Sequence, residues 1–330
     1  MLDFHVPELR FAVEAVRRAA QLVQRVQAAM VSPVLTKEDR SPVTVADFSS
    51  QALISGLLVE AFPEDSLVAE EASAELRQHQ STEILNRVVE FVGRDLEQST
   101  PELVCEWLDR GAGQPADRFW TLDPIDGTKG FLRGDQYAVA LALLVDGQVQ
   151  IGVLGCPSLN LGYYSEVGSP GSVVVAVRNE GAWVTPLYYG SNFVRLRVSE
   201  RDEPSEARLL RSFEDEHTNV SQMDMFSHML GVQTDPVCMD SQAKYAVLAA
   251  GQGDLYLRLL SSSKPNYREK IWDQTAGSLL VQEAGGCVTD LDGHPLDFSV
   301  GRTLVRNRGV LASNGILHEA ALMALKKIRA

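Results

Sequence analysis

Two aspartates three residues apart, Asp123 and Asp126, stand where the apolar run Phe119-Trp120-Thr121-Leu122 breaks at Pro124 and passes into Gly127-Thr128-Lys129. Carboxylates at this spacing, followed by a glycine that permits close backbone approach and by a hydroxyl, suit hard cations and phosphate. The same residues taken alone also suit a turn, with Thr128 capping the helix that follows. Three further acidic points occur. Asp47 ends Ser41-Pro42-Val43-Thr44-Val45-Ala46, the pair Glu70-Glu71 ends Ser66-Leu67-Val68-Ala69, and Asp273 follows Lys270-Ile271-Trp272. Singly, Asp47 and Asp273 suit the first turn of a helix, where an acid contributes about 0.3–2 kcal/mol, and Glu70-Glu71 suits a solvated loop. If the four segments converge, six carboxylates share one pocket and their repulsion demands counter-charge. With no His or Cys at ligand spacing, an all-oxygen set points to Mg²⁺, or alternatively Mn²⁺, rather than Zn²⁺. Such ions share oxygens with substrate phosphate, and a multi-metal site activates water and stabilises the leaving oxygen. Metal-assisted phosphoester hydrolysis is the chemistry that fits.

The elements that must position these acids follow from periodicity. Apolar residues at Leu9, Val13, Val16, Ala20, Val23 and Val26 predict a helix to Met30, stopped by Ser32-Pro33. A polar loop from Lys37 then feeds a short extended piece ending on Asp47, and a second helix spans Phe48 to Ala61. Ser66 to Ala69 reads as a strand. Residues 73–118 read as helices, one opened by Thr100 as N-cap with Pro101 at its first position. Strands follow at Tyr137 to Val145 and Val149 to Leu154, joined by the hairpin turn Asp146-Gly147, with more β character at Gly162 to Tyr164, Ser172 to Val177 and Ala182 to Pro186. Beyond Leu196 short strands and helices alternate: strands at Leu209 to Phe213, Gln233 to Cys238, Asp254 to Leu259 and Gly309 to Ser313, helices at Ser221 to Leu230, Ser241 to Ala250, Trp272 to Ala284 and from Ile316 onward. The first half is α+β and the second α/β, with the seam in the β-rich stretch 160–190.

Composition bounds the partners. A chain of 330 residues holds one large or two ordinary domains with a well-buried core. Its 44 acidic against 30 basic residues, net −14, argue against nucleic acid or an anionic membrane as the main partner. They leave room for a small anion held by a few local cations. The four scattered cysteines, Cys105, Cys156, Cys238 and Cys287, form no CxxC and predict free thiols in a reducing compartment. Charged residues among Leu2 to Arg10 match no signal peptide, and no apolar run approaches membrane-spanning length, so a cytoplasmic location is expected. The composition leaves the oligomeric state open.

Two look-alike motifs fail. Haloacid-dehalogenase phosphatases carry D-x-D-G-T, with one residue between the acids where this chain has two. An EF-hand loop needs acids at alternate positions, which Pro124 and Ile125 interrupt. The stretch Asp123-Pro124-Ile125-Asp126-Gly127-Thr128, with Trp272-Asp273-Gln274-Thr275-Ala276-Gly277 downstream, instead resembles the signature of the lithium-sensitive, Mg²⁺-dependent inositol monophosphatase superfamily. Within it, Ser41 to Asp47, Trp120 to Phe131, Met239 to Tyr245, Glu269 to Asp273, Pro295 to Phe298 and Gly301 to Leu304 are similar to the 3'(2'),5'-bisphosphate nucleotidase branch. Thr275 and Ala69 depart from frequent family residues but remove no ligand.

The resemblance implies a layered αβαβα sandwich of the sugar-phosphatase type, with the metal site between an N-terminal α+β domain (1–185) and a C-terminal α/β domain (186–330). It implies two or three Mg²⁺ ions, held by Glu70, Asp123, the Ile125 carbonyl, Asp126 and Asp273, with Glu71 acting through water. Asp47 and Thr128 would orient and deprotonate the attacking water, without a phosphoenzyme. Gly127, Thr128, Ser241, Lys244, Arg258 and Asp273 would contact a nucleotide, with His217 near its base or phosphate and Lys270 near the pocket wall. The pair Ser241 and Lys244 also opens a predicted helix, a position that favours an anion on its own account. The implied activity is release of the 3'-phosphate of 3'-phosphoadenosine 5'-phosphate (PAP), or of its sulfated analogue PAPS in sulfur assimilation. An inositol polyphosphate or sugar bisphosphate phosphatase is the alternative within this scaffold, and a silent nucleotide-binding regulator the alternative outside catalysis.

Overall fold

Helix α1 (Pro7–Met30) opens on a proline at its first position and buries Leu9, Val13, Val16, Ala20 and Val23, as its apolar spacing predicts. The computed structural model describes residues 2–30, 41–161, 164–165, 169–188, 192–213, 220–260 and 266–328.

Helix α2 (Ser41–Ala61) corrects one expectation. The segment before Asp47 is helical, not extended, so Asp47 lies inside a helix and ends no strand. Pro42 falls in the first turn, where its missing N–H has no helical partner to lose. Val45, Ala46 and Phe48 are fully buried, and that packing outweighs the weak helix propensity of the valines.

The strands form two main sheets. The larger runs β1 (Ser66–Ala69), β2 (Arg118–Asp126), β3 (Ala138–Val145) and β4 (Gln148–Cys156), and the small hairpin β5 (Leu159–Asn160) with β6 (Tyr164–Ser165) stands apart from it. It continues with β7 (Ser172–Val177), β8 (Gly181–Pro186) and β9 (Val194–Arg195). Its first pair, β1 with β2, is parallel and the rest are antiparallel. Asp146 and Gly147 both take positive φ, 51° and 74°, in the predicted β3–β4 turn. The second sheet has the order β11-β10-β12-β14-β13, from β10 (Leu209–Arg211), β11 (Val237–Cys238), β12 (Leu255–Arg258), β13 (Cys287–Thr289) and β14 (Val310–Ser313). The strand predicted from Gln233 is thus only its last two residues.

Period-two alternation assigns each sheet two faces and so builds the layers. Trp120, Leu122, Val139, Leu141 and Leu143 face α1 and α2, together with α3 (Thr82–Gly93) and α4 (Pro101–Asp109). Phe119, Ala138, Ala140, Ala142 and Leu144 face the opposite core, which holds α7 (Ala243–Ala249) and α8 (Thr275–Glu283). That core takes Leu210, Tyr256, Val310 and Ala312 from the second sheet. Leu209, Leu255, Leu257 and Leu311 point away from it, onto α6 (Val220–Leu230) and α9 (His318–Ile328). The result is five layers, helices–sheet–helices–sheet–helices, the expected αβαβα sandwich. Because α8 packs against both sheets, its leading residues arrive at the end of β2, where the short helix α5 (Thr128–Arg133) begins. Among the described residues, no helix is long and apolar enough to cross a membrane. All four cysteines stand as free thiols.

Candidate active site

Strand β2 delivers the first acids. Its pairing with β3 slips between Asp123 and Asp126, opposite Ala140 and Ala138, because Pro124 has no N–H for the ladder. Gly127 then takes φ 87°, and a Cβ there would lie 2.8 Å from the Cβ of Ser241. The glycine therefore lets the turn pack directly on the Ser241 segment of the second half. Thr128 is the first residue of α5 and does not cap it; its hydroxyl donates to the Ile125 carbonyl at 3.4 Å.

A cavity of about 450 Å³ opens at this point. Its walls include Glu70 from the end of β1, Asp123, Ile125 and Asp126 from β2, and Asp273 from just ahead of α8. Gly127, Thr128, Ser241, Lys244 and Arg258 complete it, so segments far apart in sequence converge as expected. Lys129, Ser212, Asp240, Tyr256, Tyr267 and Gln274, none of them an expected site residue, also line it. Asp47 and Glu71 stand behind the wall: Asp47 is buried, and burial first, then the charges of Glu71 and Glu70, raise its carboxyl well above the usual range. Lys270 stands next to the wall without lining it: its Nζ lies 5.7 Å from the centre of the Trp272 ring, and its charge acts on Glu70. His217 lies outside the described residues.

Electrostatics describe a site short of positive charge. Burial and mutual repulsion raise the carboxyls of Asp123 and Asp273 well above their ordinary values. Glu70 is pushed up to about 7 by its surroundings and then by Glu71 and Asp126, although its side chain is open to the cavity. Among the described residues, the Oδ1 atom of Asp123 is buried without a hydrogen-bond partner. As the side chains stand, no three acidic, histidine or cysteine groups among the described residues are already gathered to hold an ion. The acids instead share a wall whose orphaned oxygen and raised carboxyls call for a cation, and a set made only of oxygens suits Mg²⁺. The residues present fit the group.

The same cavity also holds the cations Lys244 and Arg258, whose charges reach Asp126 and, for Arg258, Asp273. Lys244 is buried, with Nζ donating to the Met239 carbonyl at 3.1 Å and the Ser212 hydroxyl at 3.3 Å. Burial lowers its pKa to about 8, with Asp126 opposing that change and Arg258 adding to it. Arg258 donates to Glu269 at 3.1 Å and 3.4 Å. Ser241 has φ 66°, unusual for a residue with a side chain, and precedes α7 rather than lying within it. One cavity is thus lined by both carboxylates and cations.

Neutral amides that sequence reasoning missed hold the acids in place. Gln51, one helical turn after Asp47, accepts from the Glu71 N–H at 2.9 Å and donates to the Glu71 carbonyl at 2.7 Å. The Gln242 N–H donates to Asp126 at 2.7 Å, and the Gln242 side chain spans the Trp272 carbonyl (3.0 Å) and the Gly277 N–H (3.1 Å). The i, i+4 spacing from Asp47 could have flagged Gln51; nothing local marks Gln242.

Comparison with known proteins identifies the family of the chain. Residues 6–330 match the model of the inositol monophosphatase family. The chain is 44% identical to a 3'(2'),5'-bisphosphate nucleotidase of Oryza sativa over 98% of this chain and 94% of that one. It is 40% identical to the protein of that name in Schizosaccharomyces pombe, over 96% and 94%. Among solved structures it is similar to the IMPase of Thermotoga maritima, with TM-score 0.65 and 20% identity over 98% of both chains. It is also similar to the inositol monophosphatase of Anabaena, with TM-score 0.63 and 22% identity over 97% and 94%. At such identities the structural likeness speaks for the fold.

Proposed function

The chain belongs to the inositol monophosphatase family, and from that premise we propose that it is a Mg²⁺-dependent 3'(2'),5'-bisphosphate nucleotidase. It removes the 3'-phosphate of PAP to leave AMP and inorganic phosphate. The observation that carries the reading is that acids and cations wall the same cavity. Lys244 and Arg258 line it together with Glu70, Asp123, Asp126 and Asp273, which suits a substrate with two phosphates. The relatives that share about two fifths of its residues bear the nucleotidase name. PAPS, with the same 3'-phosphate, is a second substrate on this reading.

Glu70, Asp123, Asp126, Asp273 and the Ile125 carbonyl would hold two or three Mg²⁺ ions, and Glu71 would act through water. Bound Mg²⁺ supplies neutralising charge, polarises phosphoryl oxygens and lowers the pKa of water. The chain's own residues do the rest. Asp47, buried against Glu70 and Glu71, takes up the proton of the attacking water, and the Thr128 hydroxyl orients that water. Lys244, Arg258 and Ser241 hold the distal phosphate and ribose, so that the 3'-phosphate is fixed for in-line attack. The expected division at 185/186 falls inside β8, and the sheet of the acid-bearing half runs on to Arg195, so the half carrying the cations begins beyond it. The free thiols fit a cytoplasmic enzyme.

Phosphate release from PAP, inositol 1,4-bisphosphate, inositol 1-phosphate and fructose 1,6-bisphosphate, each with and without Mg²⁺, tests the proposal. PAP should turn over fastest and only with Mg²⁺. Turnover of inositol phosphates at an equal or higher rate would overturn the nucleotidase assignment.

A further inference from the structure

We propose that Arg302 is a positioning residue that holds the Glu70-Glu71 strand end in register with Asp273, so that acids from the two halves of the fold meet at one metal site. The proposal rests on the metal-site reading above. The side chain of Arg302 reaches the first half of the fold: Nη1 donates to the carbonyls of Gly111 (2.9 Å) and Gly113 (3.0 Å), and Nη2 to that of Ala69. Ala69 immediately precedes Glu70, and its own N–H donates to Gly111 at 2.9 Å. The main chain of Arg302 belongs to the second half. Its carbonyl accepts from Ile271 N–H at 3.2 Å, and the Leu304 N–H two residues on donates to Glu269 at 2.8 Å. This pairing fixes the segment that leads into Asp273. The guanidinium also lies 4.9 Å from the centre of the Trp272 ring, next to Asp273 itself.

The chemistry selects arginine. Three carbonyls in two adjacent turns of chain are met by one planar fork with donors in fixed directions, and its face stacks on an indole. The carbonyls come together because the loop lies hard against β1: a Cβ on Gly113 would stand 2.4 Å from the Leu67 carbonyl. Among the described residues, the hydrogen-bond partners of Arg302 are all main-chain carbonyls, so it orients the acid-bearing segments without neutralising an acid. A lysine could offer charge but not the fork. Glycine and alanine supply the carbonyls, so no side-chain pattern around Glu70 advertises the link.

The test compares wild type with Arg302→Lys, Arg302→Met and, as a control for stability loss alone, Arg118→Met, which removes the ion pair to Asp65 at the other end of β2. Mn²⁺ binding to the metal-free proteins is followed by electron paramagnetic resonance of the free ion, alongside melting temperature and circular dichroism. Arg118→Met should bind Mn²⁺ like wild type at a lower melting temperature. Both Arg302 variants should bind it about 10–100-fold more weakly, the range seen when an outer-shell partner is lost. With PAP as substrate, saturating Mg²⁺ should restore kcat, leave KM for PAP unchanged, and expose the defect only in the Mg²⁺ needed for half-maximal rate. Arg302→Lys, which keeps charge and length, carries the test if Arg302→Met does not fold. Unchanged Mn²⁺ affinity in a folded Arg302→Lys protein would overturn the role of Arg302 alone. Absence of Mn²⁺ binding by wild type would overturn the metal-site reading and this proposal together.

Discussion

Replacing Lys244 by methionine should make the metal-free protein more stable relative to wild type at neutral pH than at alkaline pH, while destroying its use of PAP. Lys244 is 2% exposed, and burial brings its pKa from 10.5 to about 8. The sign follows from linkage. In the unfolded chain the amine is protonated up to about its ordinary value, whereas in the folded chain it gives up its proton near 8. Below pH 8 both states carry the charge, and the folded state bears the full penalty of burying it. Between 8 and 10.5 the folded state sheds the charge and the penalty fades. At 1.36 kcal/mol per pKa unit the full penalty is roughly 3 kcal/mol, and about 2 kcal/mol of it should disappear between pH 7 and pH 10. Lost hydrogen bonds to Ser212 and Met239, about 1 kcal/mol each, oppose the gain but do not depend on pH over this range. They cancel when the variant–wild-type difference at pH 7 is compared with that at pH 10. Urea denaturation of both proteins in EDTA at the two pH values measures it. A difference that stays constant, or grows with pH, would refute the reasoning. On the proposed function the same substitution would remove a charge-assisted contact to a phosphate, so kcat/KM for PAP should fall about 100-fold.

Three more outcomes are expected. Asp47→Asn should lower kcat by about 10²–10⁴-fold with Mn²⁺ binding retained, since it removes the proton acceptor and leaves the wall of acids intact; steady-state kinetics with an electron paramagnetic resonance titration checks this. Gly127→Ala places a methyl 2.8 Å from the Ser241 Cβ at φ 87°. It should raise KM for PAP sharply and lower stability by about 1–3 kcal/mol, read by kinetics and urea denaturation. Li⁺ titrated at fixed Mg²⁺ should inhibit phosphate release, and a flat response would count against the family mechanism.

Legibility in the sequence followed the range of the interactions. Asp123-Pro124-Ile125-Asp126-Gly127-Thr128 declares itself because proline, glycine and acids within six residues leave few backbone choices. The layers were expected from the resemblance alone; in the fold, the alternation of large and small residues in Val139-Ala140-Leu141-Ala142 sends each kind to a different core. Asp47 was misplaced because Val43, Thr44 and Val45 favour strand locally, and only burial against α1 and the sheet reverses that. Long-range partners carried no local signal. Lys270, which the resemblance places near the wall, lies over the Trp272 ring with its charge reaching Glu70, beside the lining rather than in it.

The residues that orient the acids explain why so much of the site was silent. Gln51 holds the main chain of Glu71, Gln242 holds Asp126 and brackets Asp273, and Gln274 donates to Glu269 at 3.0 Å. All three are buried and uncharged. An ammonium or guanidinium in any of these places would orient a carboxylate equally well, but it would also satisfy the charge that a divalent cation must meet. Neutral amides fix direction and leave the charge available, as does an Arg302 whose donors are spent on carbonyls. Lys244 and Arg258 of the cavity are the groups proposed to meet a phosphate, and Arg258 is already partnered by Glu269. A buried glutamine in a sequence looks like any other polar residue. Its contribution becomes visible only when the fold shows that one of its amide atoms bonds Glu71, the residue before Asp273, or Glu269.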